Sequence, residues 1–351
     1  MKKVALYIFF VCLGCSLQAQ SPDARFSQFY AAPLQLNPAL NGVFDGSFRL
    51  VANYRDQWAS ILDTDPFRTL AFSFDYRQRV FEGDYFAMGF DVLGDQAGIS
   101  KLRNTRANVN FSYLKRLVGG RGADYAQYLI AGGQVGAGQA QVDFSDLWFT
   151  SQFDMSKEEI DFALDNMESI NESSDVYFNA NVGLMWYGVI DKDFSVYAGA
   201  AVNHVNQPQF SFLDDQTHTM FEKWVIHAGA QIPLGGDAFS ILPAAVYLTQ
   251  GPSNSSTFGF NVRYSNNERN ELAIRAGTWL HLSNELESST LTDALIFTGA
   301  LEFDAYQFGF SCDINTSSAR NLTAGRGGFE LSFIYIHPSR ERRLQVKCPK
   351  F

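Results

Sequence analysis

Histidine is the side chain best suited to acid–base or metal chemistry at neutral pH, and the chain has five, at His204, His218, His227, His281 and His337. No two stand at the HxxxH or HExxH spacing that aligns imidazoles on one helical face, and no paired cysteines join them beyond the N-terminal signal. A rim site assembled from separate strands stays open, with His204 and His281 meeting Asp214 or Asp215; hydrated loop groups are the plainer reading. The run Gly132-Gly133-Gln134-Val135-Gly136-Ala137-Gly138 has the glycine density of a phosphate-cradling loop but lacks its lysine and following helix, so small residues within a strand account for it better. Asp154, Glu158, Glu159, Asp161, Asp165 and Glu168 make one segment acidic, by default a solvated face and, on the sharper reading, a cation or partner surface. These patterns carry no reaction, so no enzyme, catalytic residue, metal or cofactor is expected.

The elements that hold these residues are those of an exported protein. Lys2 and Lys3 precede an apolar run from Val4 to Leu13, and Leu17-Gln18-Ala19 offers small residues for cleavage, so residues 1–19 read as a secretory signal. A lipoprotein signal at Cys15 is the competing reading. No stretch reaches the roughly 20 apolar residues of a spanning helix. The composition is 15% aromatic and only 18% charged with 28 glycines, yet the mean hydropathy is −0.12, so apolar and polar residues must be finely interleaved. The net charge of −10 becomes −12 once Lys2 and Lys3 are lost, which argues against a nucleic-acid partner held through its phosphates.

Period-two alternation recurs along the mature chain. Phe72, Phe74 and Tyr76 alternate with Ser73, Asp75 and Arg77; Phe258, Phe260, Val262 and Tyr264 alternate with Gly259, Asn261, Arg263 and Ser265; and Tyr306, Phe308, Phe310 and Cys312 alternate with Gln307, Gly309, Ser311 and Asp313. Strands are expected near 46–55, 67–80, 84–95, 104–117, 124–138, 174–189, 193–205, 220–233, 238–249, 255–265, 270–280, 292–303, 305–314 and 326–337. Short turns alternate with longer polar connections, the longest running from Gln139 to Ser173, in which Lys157 to Ile170 has the pattern of a short external helix. Large aromatic residues on one face and Asn, Ser, Gly, Arg and Asp on the other suit lipid outside and a polar lumen inside. The expected fold is all-β, a transmembrane antiparallel β-barrel of about 14 strands in the outer membrane, with both termini periplasmic as an even strand count requires. A soluble sandwich or β-helix is the competing architecture. Cys312 and Cys348 then fall toward opposite ends of a wall about 25 Å tall, so both are expected free.

About fourteen strands enclose more space than their own side chains fill, so residues 20–45 are expected to fold into the lumen as a plug, with Pro22, Pro33 and Pro38 opposing regular structure. The barrel itself is assigned to 46–337, and 338–351 to a periplasmic tail.

Two ends of the chain carry a more specific signal. Phe26-Ser27-Gln28-Phe29-Tyr30, Pro33, Asn37-Pro38-Ala39 and Gly42, together with Gly309-Phe310, Asp313 to Ser317, Gly325 to Glu330 and Cys348-Pro349-Lys350-Phe351, resemble the PorP/SprF family, outer-membrane proteins of the type IX secretion system. Lys350 stands where that family usually has Arg, and Cys312 where an aromatic is more familiar. The resemblance implies a component of the secretion and gliding machinery that contacts periplasmic ring lipoproteins, helps export and hold a surface adhesin, or both, in contact with outer-membrane lipid. Phe26, Gln28, Phe29, Tyr30, Asn37, Pro38 and Gly42 are the candidate plug residues. Arg326, Gly328, Leu331 and Phe333 are similar to the signal that barrel-assembly machinery reads on a last strand. Arg340, Arg342, Arg343, Lys347, Cys348, Pro349 and Phe351 form a basic tail suited to docking periplasmic partners. A transporter of small hydrophobic molecules, FadL-like in strand number and N-terminal hatch, is the alternative function.

Overall fold

The computed structural model describes residues 23–59, 66–98, 100–119, 125–144, 147–164, 171–191, 194–212, 219–235, 238–266, 272–284, 290–317 and 320–338. The first five strands are β1 (Phe48–Gln57), β2 (Phe67–Arg79), β3 (Tyr85–Ala97), β4 (Leu102–Val118) and β5 (Ala126–Gln141). A small hairpin, β6 (Phe153–Asp154) and β7 (Glu159–Ile160), interrupts the longest connection. The chain continues through β8 (Tyr177–Asp191), β9 (Phe194–Asn203), β10 (Lys223–Pro233), β11 (Phe239–Gln250) and β12 (Ser253–Ser265). It ends with β13 (Leu272–Asn284), β14 (Thr290–Phe303), β15 (Tyr306–Asn315) and β16 (Arg326–His337).

All but β6 and β7 join one closed antiparallel barrel of 14 strands, in which β16 pairs with both β15 and β1. The boundaries fall within four residues of those expected, because alternation and turn residues fix them locally. Closure leaves no second sheet to pack against, so the wall has an outside and an inside. Outward positions carry Leu70, Phe72, Phe90, Phe258, Phe308, Phe310 and Leu331, exposed as a lipid-facing surface requires, while Ser73, Asp75, Arg77 and Asp91 beside them are buried. Cys312 is a free thiol on the outward face; Cys348 lies outside the described residues. No helix among the described residues is long and apolar enough to cross a membrane.

Two expectations change. The lumen is not uniformly wet: Leu114, Tyr128, Ile130, Met185, Tyr187, Val225 and Val246 point inward and join an apolar core with Phe29, Tyr30, Leu36, Leu40 and Val43. The charged and amide groups of the inner wall are present, and several of them bond to the luminal chain. Lys157 to Leu164 is a turn and strand rather than a helix, since Asp154 draws the Ser156 amide and hydroxyl into a local turn and Glu158 takes a positive φ of 54°; residues 165–170 lie outside the described set.

A further finding concerns the ends of the described chain. Phe48 pairs with His337 at the end of the barrel that carries the short turns, as the even strand count requires. The residues before β1 follow a path that this count does not give. Asp23 is bonded among Arg106, His204, Lys223 and Gln250, at the strand ends that border the long connections. Residues 23–47 therefore run the length of the lumen, and the first and last described residues sit at opposite ends of the barrel.

Candidate functional site

The luminal segment lacks ladder partners of its own, so each of its backbone groups needs another source of hydrogen bonds. Part of the need is met locally. Pro33 opens a single helical turn (Pro33–Leu36), and Pro38 opens a 3-10 turn (Pro38–Leu40), both at positions where the missing N–H costs nothing. The prolines thus start turns rather than abolish them. Asn37 caps the second, its Oδ1 accepting the Ala39 amide at 2.8 Å. From Phe26 to Phe44 every residue except Gln35 is buried.

Charged wall residues hold the end near the long connections. Asp23 Oδ2 accepts from Arg106 Nη1 at 2.7 Å, lies 3.0 Å from His204 Nε2 and 3.6 Å from Lys223 Nζ. Burial opposes its ionisation, but Arg106, His204 and Lys223 outweigh that and hold the carboxyl well below the usual carboxylate range. Four residues on, Glu330 of β16 accepts the backbone amides of Ser27 and Gln28, the second at 2.8 Å, and is itself paired with Arg55. Arg55 also reaches Asp313 at 3.0 Å, and Ser27 Oγ donates to Asp313 Oδ2 at 2.7 Å. Mutual pairing offsets the desolvation of these buried charges, and the net gain is register rather than large stability.

Midway, Trp279 of β13 packs edge-on against Phe29 with centroids 5.4 Å apart and beside Tyr30 at 5.5 Å. Gln35 Nε2 donates to Asp91 at 2.9 Å, and Asn108, Asn110 and Gln134 complete the shell of donors around that carboxylate. Opposite, the Asn37 amide donates to the Ala200 carbonyl at 3.2 Å and meets His227 Nε2 at 3.0 Å. The wall is notched to admit this turn: a Cβ on Gly132 would overlap Pro38 and Ala39, and one on Gly183 would overlap the Asn37 side chain. Part of the glycine run that looks like a phosphate loop is therefore a seat for the luminal chain.

Near the short turns, Gly42 adopts φ +79° and approaches the wall so closely that a Cβ would collide with Ala87. Its amide donates to Asp75 Oδ2 at 2.8 Å, and Asp75 is gripped by Arg49 through two bonds of 2.8 and 3.0 Å. Phe44 lies between the guanidinium groups of Arg49 and Arg77, 5.0 and 5.3 Å from its ring centroid.

The candidate residues Phe26, Gln28, Phe29, Tyr30, Asn37, Pro38 and Gly42 thus all lie inside the wall in contact with it. Arg326, Gly328, Leu331 and Phe333 lie on β16, the strand that closes onto β1, with Leu331 and Phe333 on the outward parity. The tail residues Arg340, Arg342, Arg343, Lys347, Cys348, Pro349 and Phe351 lie outside the described residues. His204 and His281 are not hydrated loop groups. Each is buried with its own partners, His204 with Asn179 and Asp23 and His281 with Thr257, while Asp214 and Asp215 are outside the described set. No group of three or more metal-ligating side chains occurs among the described residues. The residues not singled out from sequence are the wall partners Arg49, Arg55, Asp91, Arg106 and Lys223, while Asp75 enters there only as an alternating residue and Glu330 only within the motif of the resemblance. Their signal is charge at inward parity in strands that face a chain needing donors and acceptors.

A cavity of about 220 Å³ opens at the long-connection end, bordered by Asp23, Arg25, Trp58, Phe67, Asp95 and Lys223.

The model of the family described as "Type IX secretion system membrane protein PorP/SprF" matches residues 18–335. No curated protein matches the chain significantly. Solved structures of similar architecture include CdiB from Acinetobacter baumannii, with 6% identity, a TM-score of 0.46, and coverage of 82% of this chain but 60% of CdiB. The Ralstonia pickettii toluene transporter TbuX shares 12% identity at a TM-score of 0.45, covering 87% of this chain and 92% of its own. The CymD monoaromatic hydrocarbon channel shares 10% at 0.45, covering 88% and 93%. Identities this low accompany a likeness of fold alone.

Proposed function

Because the chain belongs to the PorP/SprF family of type IX secretion system membrane proteins, we propose that it serves that system as a sealed outer-membrane barrel, an adaptor rather than the conduit through which cargo passes. The carrying observation is the luminal segment: residues 26–44 occupy the interior, apart from Gln35 fully buried, and are tied to the wall at both ends and in the middle. On this reading residues 20–45 are the plug, the long connections face the outside, and the basic tail from 338 to 351 faces the periplasm. Arg340, Arg342, Arg343 and Lys347 there suit an acidic patch on a periplasmic secretion-system lipoprotein. The outer face would meet an exported adhesin.

A FadL-like transporter of small hydrophobic molecules needs a continuous apolar route. The cavity at the long-connection end mixes Trp58, Phe67 and Leu248 with Asp23, Arg25, Arg55, Asp95 and Lys223, and the lumen beyond it is filled by residues 26–44, which favours the adaptor.

The test is capture of secretion-system lipoproteins from crosslinked outer membranes by the full chain and by a chain ending at residue 338. The truncation spares His337, which pairs with β1, so the barrel should remain heat-modifiable on gels while capture is lost. Undiminished capture by the truncated chain rejects the tail as the docking element.

A further inference from the structure

The longest connection, residues 142–176, contains ten carboxylates and a single lysine. That lysine, Lys157, bridges Asp154 and Asp161 at 3.4 Å each, so the segment's one cation is already engaged. Within it the β6–β7 pairing sets Phe153 opposite Ile160 and Asp154 opposite Glu159, and the Asp161 amide extends the ladder to the Gln152 carbonyl at 2.8 Å. Alternation then places Phe153 and Ile160 on one face and Asp154, Glu159 and Asp161 on the other, with Met155 at the tip and Phe162 in the turn that follows. The apolar side chains are uncovered: Met155 is 83% exposed, Phe162 62% and Phe153 37%. Side chains of this size left in water on a polar loop mark an interaction surface.

We propose that this hairpin is a docking element for a protein segment that is basic and presents alternating apolar side chains. The sign of the charge selects the occupant. An outer leaflet bearing anionic headgroups would also take Met and Phe, but Glu158, Glu159 and Asp161 repel it, whereas a cationic strand laid alongside the hairpin sets its basic side chains on the carboxylate face and its apolar ones beside Phe153 and Ile160. The partner's side of the membrane rests on the outward placement of the long connections argued above; the docking face itself does not.

The probe is a fluorescent 12-residue peptide alternating lysine and valine, titrated by anisotropy into the whole protein in detergent, with a glutamate–valine peptide and phosphatidylglycerol vesicles in parallel. Binding of the lysine peptide alone is expected. It should weaken at least tenfold both in F153S/M155S/F162S and in E158Q/E159Q/D161N, and fade with salt only in part. Loss through the charge variant alone reduces the effect to general attraction and overturns the docking face, as does vesicle binding that only the apolar variant removes. Separately, M155C in a C312S/C348S background should react with an impermeant maleimide on intact cells. Reaction only after permeabilisation would count against the membrane orientation and leave the peptide result standing.

Discussion

Glu330, on the strand that closes the barrel, accepts the backbone N–H of Gln28 at 2.8 Å, so the last wall element and the first well-buried stretch of the chain are bound to each other. Ser27 and Arg55 share the same carboxylate. The closing strand and the luminal segment are therefore held together through one carboxylate.

Glu330→Ala should lower the unfolding temperature, since it strips two amides of their acceptor and leaves Arg55 without one of its buried counter-charges; loss of one partner from such a pair costs about 3–5 kcal/mol. Glu330→Gln keeps the acceptor oxygen and should cost less. Equal melting of both variants and the parent, followed by heat modifiability, would show that the amides do not depend on this carboxylate.

Asp23 should contribute a pH-dependent anchor. Its carboxyl is held well below its ordinary value, so its contribution is complete above the usual carboxylate range, near pH 4, and is lost as pH falls through the folded value. The difference in melting temperature between the parent and Asp23→Asn should thus be present at pH 5 and shrink in stronger acid. A difference that grew on acidification would contradict the ion-pair assignment.

Gly132 and Gly133 form an internal control. A side chain at Gly132 meets Pro38 and Ala39, while at Gly133 nothing lies within 4 Å. Gly132→Val should expel the Asn37–Leu40 turn and make the luminal segment sensitive to protease, and Gly133→Val should leave it resistant. Matching digestion patterns would mean that the turn is not seated where Gly132 makes room for it.

The opposite placement of Asp23 and Pro338 predicts a split topology. An epitope inserted before Asp23 should be reached by antibody on intact cells, and one appended after residue 351 only after permeabilisation. Both tags reporting from the same side would refute the transluminal path.

Much of the wall was legible in the sequence, because an alternating strand such as 258–265 declares its period and its two faces from adjacent residues. The candidate plug was legible from composition and prolines, but its path was not: strand parity fixes where Phe48 and His337 lie and says nothing about which way residues 23–47 cross the lumen. Nor did parity show that inward Arg55, Arg106 and Glu330 serve the luminal chain, since partners some 30 to 300 positions apart leave no local pattern. His204 failed for the same reason, as its place just beyond β9 looks exposed until Asp23 is laid over it. The small hairpin at 153–160 was missed because its apolar spacing fits a helix, and a two-residue ladder is set by the turn at Asp154.

The most direct test is the single-channel conductance of the purified full chain in planar bilayers, with Gly132→Val as the opened comparator. A sealed adaptor gives a closed baseline for the parent and ion-conducting steps for the variant. Stable conductance through the unaltered chain would mean that residues 26–44 do not close the lumen.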